Sequence, residues 1–183
     1  YIDTSDRVWE SDEAEKIGRR GVVPFFPEYT GYLGRAFKVP KFTVTGITYR
    51  RDRPIFYTPL ARSYEGNLLC SIFNEACYYE LADRLVPGLV QDVHIFHSQA
   101  SFAGVVFQVK KRRRSDEGYQ KTILSGALNA VAGLRVAIAV DEDVDIYSAD
   151  DVMWAITTRV SPMDIIRGVG GAVGQLLMPG ERN

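Results

Sequence analysis

Two patterns of apolar and polar residues divide the chain. Up to about residue 63 the apolar positions come in short runs rich in β-branched and aromatic side chains, broken by turn residues. Residues 42–50, Phe-Thr-Val-Thr-Gly-Ile-Thr-Tyr-Arg, predict a strand, and residues 55–58 a second short one. Pro24, Pro27, Gly31, Gly34, Pro40 and Pro54 punctuate this stretch, so its elements are short and joined by turns. From residue 66 the pattern changes. Leu68, Leu69, Ile72, Phe73, Ala76, Tyr79 and Leu81 recur mostly three or four residues apart, which predicts an amphipathic helix over 68–85 that Pro87-Gly88 ends. Strands follow over 90–96 and 103–110, then a helix over 118–132. The run 134–140, Leu-Arg-Val-Ala-Ile-Ala-Val, has the near-continuous apolar character of a strand buried on both faces. A last helix is expected over 149–159, and the glycine-rich end, 168–183, reads as mobile.

The order α-β-β-α-β-α after residue 66 implies a layered α/β domain with helices over a sheet. The first part is harder to close. About 65 residues form only a few strands and leave edges unpaired, so this segment suits a place in a larger β-barrel. The opening residues Tyr1–Arg7 are polar and do not form a signal peptide. With no initiator Met, the chain reads as starting inside a longer product.

The chain has 183 residues, 46% hydrophobic and 25% charged, with a formal net charge of −1. That composition is globular and carries no overall pull toward nucleic acid. No apolar run approaches the roughly 20 residues of a membrane span. Cys70 and Cys77 lie on one helical pattern about 10 Å apart along the axis, too far for a disulfide. They read as buried thiols of a reducing compartment, the cytoplasm.

Four features bear on chemistry. Glu28 stands between Pro27 and Thr30-Gly31, so a rigid turn presents it. Held and partly desolvated, such a carboxyl can donate a proton; the alternative is a solvated loop acid. Asp141-Glu142-Asp143-Val144-Asp145 has the D-x-D-x-D spacing of a calcium loop, but Ile146 and Val152 stand where glycine and glutamate belong. Acids at a strand end, followed by a helix capped by Ser148 or Asp150, fit better. The run Lys110–Arg114 is either a solvated loop or a contact for an anionic ligand. Lys121 falls in the first turn of a predicted helix, where a bound anion would offset an unfavourable dipole. His94 and His97 have no partners at metal-ligand spacing.

These segments together resemble the UbiD family. The most specific match is Asp141-Glu142-Asp143-Val144-Asp145-Ile146 with Asp151-Val152-Met153-Trp154-Ala155-Ile156-Thr157-Thr158-Arg159, similar to the family's C-terminal signature. Glu28-Tyr29-Thr30-Gly31-Tyr32 resembles the loop of the family's catalytic acid, residues 44–52 the strand and turn after it, and residues 68–76 the helix that opens its second domain. The resemblance implies a flavin-reductase-like split β-barrel remainder over 1–65 and an α/β C-terminal domain over 66–183. It implies prenylated FMN, which acts as an electron sink while carbon dioxide leaves, together with Mn2+ and K+ whose main ligands lie outside this chain. It implies an aromatic or α,β-unsaturated acid as substrate and a homo-oligomer; the basic run Lys110–Arg114 and the residue at Val23 would suit an aryl-CoA thioester among such acids. Carried over by position, Glu28 is the proton donor, Leu69 an apolar wall of the substrate pocket and Lys121 a contact of the cofactor phosphate. Val23 departs from the pattern, since the family usually has a second glutamate there. The alternative is a non-catalytic assembly subunit or an inactive member that needs a partner chain.

Overall fold

A computed structural model describes residues 2–55 and 64–166. The chain divides into two compact units, Tyr1–Ala61 and Arg62–Asn183. The strand expected at 55–58 and the glycine-rich end fall outside the described residues, apart from Ile55.

In the first unit, β1 (Ile2–Trp9) pairs antiparallel with β4 (Lys38–Phe42), Val8 opposite Val39 and Trp9 opposite Lys38. The guanidinium of Arg7 donates to the Lys38 carbonyl at 2.8 and 3.2 Å. A hairpin follows the same logic: β2 (Pro24–Pro27) lies antiparallel to β3 (Leu33–Arg35). Between β1 and β2, α1 (Asp12–Ile17) starts on Ser11, whose side chain accepts from the Ala14 amide, and ends on Gly18 in the left-handed conformation. Ala14, Val23 and Ala36 form a small core, flanked by Trp9 and Phe25.

The β-rich character expected of this segment extends to its polar opening residues, which form β1 through pairing with β4 although no apolar pattern marks them. One predicted strand is displaced. The strand placed at 42–50 lies earlier: β4 ends at Phe42, and residues 43–50 carry no strand. The ladder with β1 runs out at the Ile2–Phe42 pair. β-Propensity without a neighbouring strand stabilises nothing, since cross-strand pairs are what it measures.

The second unit has its elements close to where the apolar pattern puts them, but the stripe of Leu68, Leu69, Ile72, Phe73 and Tyr79 that predicted its first helix is exposed, and Tyr78 and Ala82 pack instead. Its elements are α2 (Tyr64–Leu85), β5 (Val90–His94), β6 (Gly104–Val109), α3 (Tyr119–Ala130), β7 (Val136–Asp141) and α4 (Ala149–Arg159). The sheet order is β5-β6-β7, antiparallel between β5 and β6 and parallel between β6 and β7, with α3 as the crossover. Alternation along β6 builds three layers. Val105, Phe107 and Val109 point to a core shared with Tyr78 and Ala82 of α2 and Ile123 and Ala127 of α3. Val106 points to the other face, where Val140, Val144, Ile146, Val152 and Ala155 close the core beneath α4.

The strand fully buried on both faces is β6; β7 also packs on both cores, Ala137 and Ala139 on one and Ile138 and Val140 on the other, but less deeply. Among the described residues β7 is an edge strand, and Val136 is half exposed. Its alanines keep the run apolar without requiring full burial. Cys70 and Cys77 are free and exposed, not buried. They lie on α2 away from the sheet, whose contact face is carried by Tyr78 and Ala82.

Candidate functional site

Glu28 opens the loop between β2 and β3. Its amide donates to the Tyr32 carbonyl at 2.8 Å, and its carbonyl accepts from the Gly31 amide at 2.8 Å. Gly31 takes φ +85°, which side chains rarely adopt, so the turn needs glycine there. These bonds hold a half-buried Glu28 against the facing strand: a Cβ on Gly34 would stand 3.0 Å from Glu28 Oε1 and 3.3 Å from the Phe26 carbonyl oxygen. Thr30 Oγ1 in the same loop is buried without a hydrogen-bond partner among the described residues. Val23 is 3% exposed and packs against Ala14 and Ala36, with its carbonyl accepting from the Ala36 amide at 2.9 Å. The position is thus a core position in this chain, and an apolar residue suits it.

In the second unit, Leu69 is 68% exposed on α2, beside the exposed Leu68, Ile72 and Phe73. Lys121 sits in the first turn of α3. The N-cap, Gly118, offers no side-chain cap, and the Lys121 ammonium pairs with Asp164 Oδ1 at 2.9 Å. An exposed cation beside uncapped amides suits an anion, and a carboxylate already takes that role.

The acidic strand end works as a scaffold. Asp143 receives both arms of Arg159 at 2.8 and 2.7 Å, and Arg159 lies over the Trp154 ring at 4.5 Å. Arg159 holds the Asp143 carboxyl below the usual carboxylate range, and Asp143 raises the Arg159 guanidinium in turn. Asp141 pairs with Lys111 at 3.2 Å, and Glu142 with Lys110 at 2.6 Å. Ser148 caps α4 by accepting from the Asp151 amide, while the Asp151 carboxylate accepts from the Asp145 amide at 2.9 Å. Of the two caps expected, Ser148 is the one used. The basic run is partly engaged in the same way. Lys111 also meets Glu117 at 3.1 Å, a hydrogen bond that raises its ammonium above the ordinary lysine range. Arg112 donates to the Gly88 carbonyl at 2.8 Å. Among the described residues no three His, Cys, Asp or Glu side chains are grouped to hold a metal ion.

Sequence reasoning missed the polar groups on the inner face of α2. Asn74 donates to the Ser101 carbonyl at 2.9 Å, and Tyr78 to the Phe102 carbonyl at 3.0 Å. Glu75 accepts from the Ile95 amide at 2.8 Å and lies 3.0 Å from His94 Nδ1, out of line for a hydrogen bond. Their partners lie 20 to 27 residues away, and no local spacing announces such contacts.

Residues 67–182 match the family model of the 3-octaprenyl-4-hydroxybenzoate carboxy-lyase C-terminal domain, UbiD_C. The chain belongs to the UbiD family. Gallate decarboxylase from Lactiplantibacillus plantarum is 31% identical over 182 residues, covering 100% of this chain and 36% of that protein. The apo structure of 3,4-dihydroxybenzoic acid decarboxylase from Enterobacter cloacae superposes with a TM-score of 0.77 at 31% identity, over 97% of this chain and 36% of that one. The UbiD-class enzyme HmfF from Pelotomaculum thermopropionicum, in complex with FMN, gives a TM-score of 0.77 at 27% identity, over 99% and 37%. An evolved dimeric form of HmfF, in complex with prFMN, gives 0.70 at 28%, over 89% and 34%. The UbiD chain described here therefore spans little more than a third of the length of these relatives. Its mixed α/β fold with small sheets is the fold of that part of them. No helix among the described residues is long and apolar enough to cross a membrane.

Proposed function

We propose that this chain works in a reversible carboxy-lyase that removes carboxylate from aromatic or α,β-unsaturated acids with prenylated FMN. The relatives named for gallate and 3,4-dihydroxybenzoate make a hydroxylated benzoate the favoured substrate class. Glu28 is the proton donor, Leu69 an apolar wall of the substrate pocket and Lys121 a contact for the cofactor phosphate. The first unit is the remainder of a flavin-binding split β-barrel. One observation carries the reading: Glu28 is half buried on a loop locked by two backbone hydrogen bonds, its carboxylate over a glycine. A donor held in one place loses little entropy on meeting the carbon it protonates.

The prenylated flavin supplies an electron sink for the pair left when carbon dioxide departs. This chain's share is narrower. Glu28 holds a proton at its carboxyl oxygen and returns as a carboxylate. Lys121 offers one cation to a phosphate, beside the positive end of α3. Manganese and potassium would take their ligands from outside the described residues, which group no three His, Cys, Asp or Glu side chains.

The test uses the full-length protein made alongside a prenylated-FMN-supplying enzyme. Exchange of labelled bicarbonate into 3,4-dihydroxybenzoate should vanish in Glu28→Gln while the flavin spectrum stays. Full exchange in that variant would remove Glu28 from the role.

Val23 favours a second reading, an assembly subunit without chemistry, because a core residue stands where the family usually has a second glutamate. Size-exclusion chromatography and flavin absorbance separate the two. A tight oligomer that never acquires a flavin spectrum would support the subunit.

A further inference from the structure

The inner and outer faces of α2 are built from different chemistry. Leu69 and Tyr78 are nine residues apart, which at about 100° per residue puts them on opposite sides of the helix. Tyr78 is 3% exposed and Leu69 68%. Asn74, Glu75 and Tyr78, at i, i+1 and i+4, share the inner side, and all three bond to one segment, the connection between β5 and β6 at residues 95–103.

That connection is built to stay put. Phe96 and Gln99 bond twice: the Gln99 amide donates to the Phe96 carbonyl at 2.8 Å, and Gln99 Oε1 accepts from the Phe96 amide at 2.9 Å. The Ala103 amide donates to the Gln99 carbonyl at 2.9 Å. Ala100 and Ser101 follow with φ of +52° and +64°, an uncommon conformation for residues with a side chain. Two successive residues hold it only where the surroundings fix them. Ser101 is buried, and the Gln99 side chain lies across Gly104, where an added Cβ would stand 2.5 Å from Nε2. The strained turn presents the carbonyls of Ser101 and Phe102, and these are the acceptors that Asn74 and Tyr78 use.

We propose that Asn74 and Tyr78 are positioning residues: through the Ser101 and Phe102 carbonyls they set the roll of α2, and so the direction in which Leu69 meets the substrate. Apolar contacts between α2 and the sheet, through Ala82 and the Tyr78 ring, tolerate a small rotation or slide. Directional hydrogen bonds to fixed carbonyls do not, and satisfied polar groups in a core select one arrangement among several. Glu75 adds a third fixed point at the Ile95 amide. The proposal rests on the reading that Leu69 lines the substrate pocket.

The experiment measures kcat/KM for 3,4-dihydroxybenzoate and for gallate in the full-length prenylated-FMN enzyme, with dissociation constants of both acids from flavin fluorescence. Its variants are Leu69→Ala, Asn74→Ala and Tyr78→Phe. A purely structural loss lowers the active fraction and scales both substrates equally, so it leaves their ratio unchanged. The expected result is a changed ratio in Leu69→Ala and a shift in the same direction, about threefold, in Asn74→Ala and Tyr78→Phe. A changed ratio in Leu69→Ala with none in the other two overturns the positioning role and leaves the pocket reading standing. An unchanged ratio in Leu69→Ala, or no binding of either acid, overturns the pocket reading and the positioning role with it.

Discussion

Arg159, the last residue of α4, grips Asp143, two residues past the end of β7, through two parallel hydrogen bonds of 2.8 and 2.7 Å. The pair ties the acidic segment after β7 to the C-terminal end of α4. Its planar fork-to-fork geometry is one a lysine cannot reproduce.

The pair also sets a pH dependence. Arg159 lowers the Asp143 carboxyl below its ordinary 3.8, so the folded state binds that proton less readily than the unfolded state. The contribution is fully present above the unfolded value and is lost as pH falls through the lowered one. Asp143→Asn should therefore lower the melting temperature at pH 7 by a few degrees at most, as suits an exposed pair. The gap between the two proteins should close in acid below pH 3.8. A gap of the same size at pH 7 and pH 3, read by circular dichroism, would contradict this account.

At the other end of the scale, burial first and the neighbouring Cys77 second push the Tyr78 phenol up from 10.0 to about 12. The unfolded chain gives up this proton two units earlier, so folded stability should fall as pH rises from 10 to 12. The shift corresponds to a loss of up to about 3 kcal/mol across that window. Tyr78→Phe has no such proton. Urea unfolding of the two proteins should differ in slope against pH only above pH 10, and parallel curves through that range would refute the assignment. Below pH 10 the phenol remains a donor to Phe102.

The second unit was legible because its elements obey burial. A helix or strand that packs on one face repeats its apolar residues at 3.6 or 2, and β6, α3 and α4 do so within a few residues of their observed ends; α2 is found where expected, but Leu68, Leu69, Ile72, Phe73 and Tyr79, whose spacing predicted it, are exposed while Ser71, Tyr78 and Ala82 are buried. The first unit was not, because its ladders bury little. β1 reads as polar, and only its register against β4 makes it a strand. The short α1 was missed within a segment read as β-rich: it buries Ala14 alone, and Ser11 and Gly18 hold its two ends. At the candidate site, the loop of Glu28 was visible through Pro27 and Gly31, which constrain backbone locally. Leu69 and Lys121 came from family likeness, and neither residue announces a role by its spacing. The seam of Asn74 and Tyr78 was invisible, since its acceptors are backbone carbonyls far along the chain.

The close approach at Gly104 gives a test of the rigid connection. A methyl group there would meet Gln99 Nε2 at 2.5 Å and Cδ at 2.6 Å. Gln99 is flexible in principle but is tethered to the Phe96 amide. Gly104→Ala should destabilise the fold by about 1–3 kcal/mol, as overpacking does. Gln99→Ala should cost about 1 kcal/mol for the lost bond. The double variant should be clearly more stable than the sum of the two, because the clash and the tether involve one side chain. Additive losses in denaturant unfolding would show that the two residues do not meet.

Gly34 offers the corresponding test at Glu28. An alanine Cβ would stand 3.0 Å from Glu28 Oε1, a movable side-chain atom, and 3.3 Å from the Phe26 carbonyl oxygen, a backbone atom on the paired strand. The carboxylate can swing away and the strand has to give by a few tenths of an ångström, so the fold should survive with a small loss. The proposed proton donor, however, is moved, and displacement of a catalytic group by about 1 Å can cost on the order of a hundredfold in rate. Gly34→Ala should therefore lower kcat for decarboxylation far more than it lowers the melting temperature, with KM and the flavin spectrum little changed. In the Glu28→Gln background the same substitution should have almost no further effect, since the group it disturbs is already gone. A Gly34→Ala enzyme of undiminished kcat would mean that the position of the Glu28 carboxylate over Gly34 has no bearing on the chemistry.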